Sequence, residues 1–515
     1  MGILSPLSRW PKTVRPNWHK MRSYLVKTLG CKANLYDSQI IEQSLQAKGW
    51  QPASGEEEGE ASSRSSPIQL CIINSCTVTD EADRQSRKWA ARLARENPGA
   101  KIVITGCGAE VDPEGMAHAQ GVDFVVGNQN KDQIVDLIDH LDVNISSDIL
   151  KQRILGTTKT YKELQSKHPM DREWPAVLDS FKTPPVHLEG HSDKTRSFIK
   201  IQEGCNSFCT YCIIPFGRGP SRSLRPRELI AQVNELVEQG VREIVLTGTN
   251  IGDYGTDWEG SPQLGALIRM ILEYTDLERL RVSSLDPTEI TPEIFELMAH
   301  HPRLCPHFHV SLQSPHSRIL RLMKRRYGYN EVKRCLESIA QIAAGQPGGV
   351  FVGMDVITGF PGETESEFEW TVEALTSLPW SRLHVFPYSE RAGTPATRLP
   401  ASVPQADRVA RTQILNRLSL DRLKAHYTAV LEVFKKEQAP LLNGVLLEKL
   451  DSRGWQAGFT ANYLRVMIPG SKSTAQSGDV VAIGASRRNQ LASVMPRELM
   501  VDSRGYDVAL VCDLV

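Results

Sequence analysis

Two successive runs of apolar strands alternating with amphipathic helices constrain this chain more than any other feature. In the first run YLVKTLG, LCIINSC, KIVITGC and FVVG read as strands, with DSQIIEQSLQAKG and EADRQSRKWAARLARE as helices between them. Strands apolar throughout, alternating with helices, predict a parallel sheet covered on both faces. The second run begins at Ser197 with FIKIQEG and continues through EIVLTGTN, RLRVSSLD, FHVSLQS, VFVGMDVITG and RLHVFPYS. Six βα units in succession predict a parallel barrel, complete or partial, with its chemistry at the carboxyl ends of the strands. After a long helical stretch over 407–436 the pattern changes. VLLEKLDSRGWQAGFTANYLRVMIP and GDVVAIGASRR read as short strands with Gly, Asn and Pro turns, which predicts a small antiparallel barrel.

The predicted organisation is therefore α/β in several parts. Residues 1–20 are a basic extension, 21–145 a Rossmann-like parallel-sheet domain, and 146–195 a polar linker or insertion. Residues 196–436 are the partial (β/α)6 barrel, 437–503 the small β-barrel, and 504–515 a C-terminal tail. The stretch GEEEGEASSRSSP interrupts the first domain with the composition of a surface loop. A length of 515 residues suits such a division. Sixty basic residues balance sixty acidic ones, so any nucleic-acid site must be a local patch. Ten cysteines are too few for a disulfide scaffold, and their grouping points to metal binding in a reducing compartment, the cytoplasm. No run of 18 apolar residues is present, so no membrane span is predicted.

The segment GCNSFCTYC, Gly204 to Cys212, follows directly on the first barrel strand. Thiolates are soft ligands for iron–sulfur clusters, zinc or copper. A [4Fe–4S] cluster held by Cys205, Cys209 and Cys212 alone leaves one iron open. The amino and carboxylate groups of S-adenosylmethionine can chelate that iron, and electron transfer then cleaves the sulfonium to a 5′-deoxyadenosyl radical. The alternative is structural zinc with a fourth ligand from elsewhere.

This segment on a βα barrel resembles the radical S-adenosylmethionine superfamily. The resemblance implies that Tyr211, the aromatic before the last cysteine, lies against the cofactor. It also implies that LTGTN, with Gly248 and Thr249, receives the cofactor's amino group on the second strand. Gln313 in SLQS and Asp355 in GMDVITGFPGE sit at later strand ends as further cofactor-binding candidates.

Three other cysteines, Cys31 in TLGCKAN, Cys76 in INSC and Cys107 in ITGC, each end a predicted strand of the first domain. Parallel sheets place ligand sites at such ends. Three thiolates meeting in one crevice predict a second cluster, against the reading that they are buried packing residues. Cys71, Cys305, Cys335 and Cys512 read as packing residues.

An N-terminal three-cysteine domain, a radical barrel and a terminal β-barrel together resemble the methylthiotransferases, over about residues 21 to 500. The resemblance implies two [4Fe–4S] clusters, the N-terminal one carrying or receiving sulfur. One S-adenosylmethionine would methylate that sulfur and a second would supply the radical. An aromatic C–H offers no acidic proton or leaving group, so acid–base catalysis cannot functionalise it. TLGCKAN and KIQEGCN are most similar to the group acting on N6-threonylcarbamoyladenosine at position 37 of tRNA, at carbon 2. Related groups act on isopentenyladenosine or on an aspartate of a ribosomal protein. A reading of another class is a non-catalytic iron–sulfur or zinc protein that binds RNA.

Lys32, beside Cys31, is expected to pair with the threonyl carboxylate. The terminal barrel resembles a TRAM domain, an OB-like RNA-binding module, with Trp455, Phe459, Tyr463, Arg487 and Arg488 as its expected contacts, the alternative being that these aromatics are the barrel's own core. Arg84, Arg218, Arg325 and Arg326 are further candidates for RNA phosphates. The implied partners are tRNA, a reductant such as flavodoxin or ferredoxin, and a sulfur donor that the sequence does not identify.

Overall fold

The computed structural model describes residues 22–53, 67–128, 131, 134, 154–155, 196–344, 349–436, 442–451, 454–469, 489–502 and 507–515. The extension 1–20, most of 146–195, and Arg487 and Arg488 lie outside the described residues.

The first domain is a six-stranded sheet in the order β2-β1-β3-β4-β5-β6. Its strands are β1 (Arg22–Thr28), β2 (Trp50–Pro52), β3 (Leu70–Ser75), β4 (Lys101–Gly106), β5 (Phe124–Val126) and β6 (Ile154–Leu155). Every pairing is parallel. β3 is buried along its whole length, as expected of a strand covered on both faces. The helix Lys32–Ala47 buries Ile41 and Leu45 against one face, and Asp80–Glu96 buries Ala90 and Leu93 against the other. The latter helix starts at Thr79, whose side chain accepts from the Ala82 N–H at 3.1 Å, with three acidic residues in its first turn. The sheet's last strand falls inside 146–195, so that stretch is not wholly a linker.

The second domain comprises β7 (Ser197–Glu203), β8 (Arg222–Ser223), β9 (Glu243–Gly248), β10 (Arg279–Val282), β11 (Ser284–Leu285), β12 (His307–Gln313), β13 (Phe351–Thr358) and β14 (Arg382–Pro387). They form two four-stranded sheets, β10-β9-β7-β8 and β11-β12-β13-β14. β10 runs into β11 through Ser283, so the two sheets follow one another around a partial barrel, and β7 does not pair with β14. Ile199, Leu246, Leu280, Val310, Met354 and Leu383 pack outward against the helices in one core. By strand alternation Lys200, Thr247, Arg281, His309, Asp355 and His384 face the lumen.

The C-terminal unit is a closed barrel, β15-β16-β17-β19-β18, of β15 (Leu442–Leu450), β16 (Trp455–Phe459), β17 (Arg465–Pro469), β18 (Leu491–Val501) and β19 (Val508–Leu514). All pairings are antiparallel except β17 with β19, which is parallel. The barrel therefore extends to residue 514, and 504–515 is not a tail: its strand β19 closes the wall.

This barrel docks on the partial barrel by the aromatics predicted to meet RNA. The Tyr463 ring lies 4.8 Å from His307, and Arg196 sits 4.5 Å over Phe459. The Arg279 guanidinium donates to the Gly444 carbonyl and Asn462 Nδ2 to that of Gly349. Phe459 and Tyr463 are thus interdomain contacts and not a base-stacking surface, because the neighbouring barrel offers them aromatic and cationic partners.

Candidate functional site

The cysteine loop after β7 begins with a turn that only glycine tolerates. Gly204 has φ +77°, and a Cβ there would lie 1.8 Å from the Pro220 carbonyl oxygen. The loop is then tied from several sides. The Cys205 N–H donates to the Gly219 carbonyl at 3.1 Å, and the Thr210 N–H to that of Met323 at 3.1 Å. Tyr211 packs edge-on to Phe360, with centroids 6.3 Å apart, beside Ile319, Met323 and Tyr388.

Gln202, which sequence reasoning missed, joins this loop to the second strand. Its Nε2 donates to the Gly204 carbonyl at 2.8 Å, and its Oε1 accepts from the N–H groups of Thr249 (3.1 Å) and Asn250 (2.8 Å). The Thr249 hydroxyl accepts from the Gly204 N–H at 3.2 Å. A Cβ at Gly248 would lie 2.7 Å from the Gln202 carbonyl oxygen. Cys205, Gly248 and Thr249 therefore share one rim. At the end of β12, Gln313 has φ +62° where its pairing with β13 slips. Such a strained backbone marks a position held in place by its surroundings.

Two donors aim at the cysteine sulfurs. The Ser207 N–H lies 3.4 Å from Cys205 Sγ, and Arg325 Nη1 lies 3.2 Å from Cys209 Sγ. Arg325 also pairs with Asp286 and donates Nε–H to the Tyr327 hydroxyl at 3.0 Å. Its side chain is only 9% exposed, so it is not an RNA phosphate contact; it serves the cysteine loop. Burial pushes the Cys205 thiol up to about 11, and burial with the neighbouring Cys209 pushes Cys212 up as well. Thiols crowded this way need a metal's positive charge to ionise. Among the described residues no three His, Cys, Asp or Glu side chains are spaced to hold one metal ion. Three thiols with N–H donors aimed at sulfur fit a [4Fe–4S] cluster.

The second cysteine set lies at the carboxyl ends of β1, β3 and β4, which are neighbours in the sheet. Gly30, φ +91°, lets Cys31 approach β3: a Cβ there would lie 2.6 Å from Cys76 Cβ. Asn34 binds both strand ends, donating to the Leu29 carbonyl at 2.7 Å and the Ser75 carbonyl at 2.9 Å. Its Oδ1 lies 4.0 Å from Cys107 Sγ. Burial pushes the Cys107 thiol up to about 12, and Cys76 and Cys31 add to the shift. Cys31 is exposed, while Cys76 and Cys107 are buried. The donor set again suits a cluster. Cys71 is buried in the strand interior, and Cys335 and Cys512 lie in apolar cores.

A buried charge network joins the two sets. Asp37 pairs with Lys131 and Lys200, each at 2.6 Å, and with Arg218 at 3.2 Å; Glu203 pairs with Lys200 and Arg218. Lys131, Lys200 and Arg218 together hold the Asp37 carboxyl below the usual range despite its burial. Arg218 is 1% exposed and is therefore not an RNA contact; it pins the first domain to the second beside Cys107. Asp37, Lys200 and Glu203 gave no sequence signal, since partners 163 or 181 residues apart leave no local pattern. The helix Ile214–Arg218, directly after Cys212, packs its Gly217 against Cys107, where a Cβ would lie 3.3 Å away. One short segment thus touches both cysteine sets.

In the lumen, His309 Nε2 lies 3.0 Å from Asp355 Oδ1 and its Nδ1 3.1 Å from the Ser284 hydroxyl, with the His384 ring 5.2 Å away. Lys32 stands in the electrostatic reach of Asp355, Tyr463, Arg281 and Arg196. Arg84 is exposed and paired with Asp80 and Glu81; Arg326 is exposed.

Residues 199–375 match the Radical SAM superfamily and residues 23–127 the Uncharacterized protein family UPF0004. The threonylcarbamoyladenosine tRNA methylthiotransferase MtaB of Bacillus subtilis (strain 168) is 32% identical over 464 residues, covering 88% of this chain and 91% of that protein. The MtaB of Rickettsia prowazekii (strain Madrid E) is 36% identical over 406 residues, covering 78% and 84%. Among solved structures, the radical S-adenosylmethionine methyltransferase TsrM from Kitasatospora setae shares the fold, with TM-score 0.51 and 15% identity over 73% of this chain and 75% of that one. With both cysteine sets at strand ends and such identity along most of its length, the chain belongs to the radical S-adenosylmethionine methylthiotransferase family that includes the MtaB proteins.

Proposed function

We propose that this chain adds a methylthio group to carbon 2 of N6-threonylcarbamoyladenosine at position 37 of tRNA. The observation that carries the reading is the joining of two cysteine triads by the segment from Cys212 to Arg218. The names of the similar proteins support the tRNA substrate.

Cys205, Cys209 and Cys212 would hold one [4Fe–4S] cluster, and Cys31, Cys76 and Cys107 a second. When bound, a three-thiolate cluster with S-adenosylmethionine on its open iron supplies one-electron cleavage of the sulfonium, the chemistry an unactivated aromatic C–H requires. The chain's own residues bind and orient. Gln202 fixes the backbone of Thr249 and Asn250 against the cysteine loop by taking their N–H groups, so the carbonyl groups after β9 are held in place for a polar ligand. Tyr211, Gly248, Thr249, Gln313 and Asp355 are the candidate contacts to the cofactor. Exposed Arg84 and Arg326 are candidates for the RNA backbone. The partners are tRNA and a low-potential reductant such as flavodoxin or ferredoxin, in the cytoplasm. No helix among the described residues is long and apolar enough to cross a membrane.

The test is mass spectrometry of tRNA nucleosides from cells lacking the gene, with complementation. Loss of 2-methylthio-N6-threonylcarbamoyladenosine, restored by the wild type and not by Cys31→Ser or Cys205→Ser, is the expected result. Its persistence in the deletion strain overturns the reading.

A further inference from the structure

The first domain meets the partial barrel at two places, beside β7 and beside β14, the strands that leave the barrel open by not pairing. On the β7 side, Lys200 and Glu203 join the charge network around Asp37. On the β14 side the contact is made by the turn that follows the strand. The Asp80 N–H donates to the Ser389 hydroxyl at 3.1 Å. Arg391 Nη2 donates to the Thr77 hydroxyl at 2.6 Å and pairs with Asp83. Thr77 is the residue after Cys76, and Asp83 stands in the first turn of the helix that follows. Arg391, Thr77 and Asp83 are all buried, which strengthens these bonds.

The same turn holds the barrel's own cysteine loop. The Ala396 N–H donates to the Thr210 carbonyl at 2.8 Å, and Thr210 lies between Cys209 and Cys212. Tyr388 packs edge-on to Phe360 with centroids 5.3 Å apart, and Phe360 is the ring against which Tyr211 rests. Between these contacts the turn has little freedom. The Arg391 carbonyl accepts from the Thr394 N–H at 3.1 Å and from its hydroxyl at 2.7 Å, and Thr394 is buried. The stretch 391–396 is thus a short stiff strut running from Thr77 to Thr210.

We propose that Arg391 is a positioning residue that sets the working separation of the two cysteine sets by docking the Cys76 loop on this strut. The proposal rests on the reading above that each set holds a cluster, and it adds what fixes their spacing. The Asp37 network already joins the two domains at β7. The β14 contact therefore removes the remaining freedom to pivot about that network. A misplacement of about 1 Å between reacting groups can lower a rate by about a hundredfold, so such a pivot matters to the transfer between the sets.

The experiment uses anaerobically reconstituted holoenzyme and an anticodon stem–loop RNA bearing N6-threonylcarbamoyladenosine. Three quantities are read for wild type, Arg391→Met and Arg391→Lys. They are iron per chain, the magnetic coupling between the two reduced clusters by electron paramagnetic resonance, and 5′-deoxyadenosine formed per methylthiolated nucleoside. Arg391→Met is expected to keep its iron and its cofactor cleavage, to show a weakened or broadened coupling, and to form about tenfold or more 5′-deoxyadenosine per product. Arg391→Lys, which keeps the charge facing Asp83, should recover part of both changes. Should Arg391→Met fail to fold, Thr77→Val, which removes only the accepting hydroxyl, decides by the same readings. Unchanged coupling and an unchanged ratio in an iron-replete variant overturn the proposal, as does loss of iron from the N-terminal set, which would make the role merely structural. A wild type that reconstitutes only one cluster overturns the two-cluster reading and the proposal with it.

Discussion

Arg325 donates a hydrogen bond to the sulfur of Cys209 across 3.2 Å while its other nitrogen is held by Asp286. A guanidinium beside a thiolate lowers the cost of that sulfur's charge. Arg325→Gln is therefore expected to weaken cluster retention by roughly ten- to hundredfold, the worth of one charge-assisted bond. Iron content and visible absorbance after anaerobic reconstitution measure it. Full iron occupancy in the variant would remove this role.

Gly204→Ala tests the turn before Cys205. The added methyl meets the backbone of Pro220, at a φ that L residues rarely adopt. Neither strand end can yield without moving the cysteine loop, so the variant should fold yet lose most of the barrel cluster's iron, with the N-terminal set retained. Iron per chain, compared with that of Cys205→Ser, reads the outcome.

Asp37→Asn removes one carboxylate that faces Lys131, Lys200 and Arg218. Breaking a buried ion network from one side costs about 3–5 kcal/mol. The expected result is a lower melting temperature and early proteolysis between the first two domains. An unchanged melting curve would show that the network is solvated in solution.

His384 titrates at about 4 in the folded chain against an ordinary 6.5, chiefly through burial. The unfolded chain therefore binds a proton that the folded one refuses as pH falls below 6.5. The contribution of neutral His384 is full above that value and is lost as pH falls toward 4. Chemical denaturation between pH 7 and 4 should show stability falling with pH, and His384→Gln should shrink the slope by up to one proton's worth.

Ending the chain at residue 503 deletes β19, which pairs with both β17 and β18. Two unpaired strand edges result, and such edges invite aggregation. The truncated protein should be less soluble, with its C-terminal barrel digested first in limited proteolysis.

Much of the fold was legible because its signal is local. Strands such as LCIINS and KIVITG carry short apolar runs, and Cys76 and Cys107 follow them directly. What escaped is non-local. Ile154–Leu155 is too short to show a period, and it becomes a strand only by pairing with β5. Val508–Leu514 is apolar but joins β17 in parallel across the barrel, a partnership no neighbouring residue announces. Arg218 and Arg325 showed a charge in the sequence but not its mate: Asp37 lies 181 residues from Arg218, and Cys209 lies 116 from Arg325. Phe459 and Tyr463 looked like nucleobase platforms because aromatic side chains serve either purpose, and only docking decides.

The knot of charge around Asp37 has a bearing on how such proteins can be rebuilt. Its members come from both sides of the domain boundary, two from the sheet domain and three from the barrel. A hybrid that takes its front half from one relative and its rear half from another inherits half a lock without its key. Transplanted parts should work only when all five positions travel together.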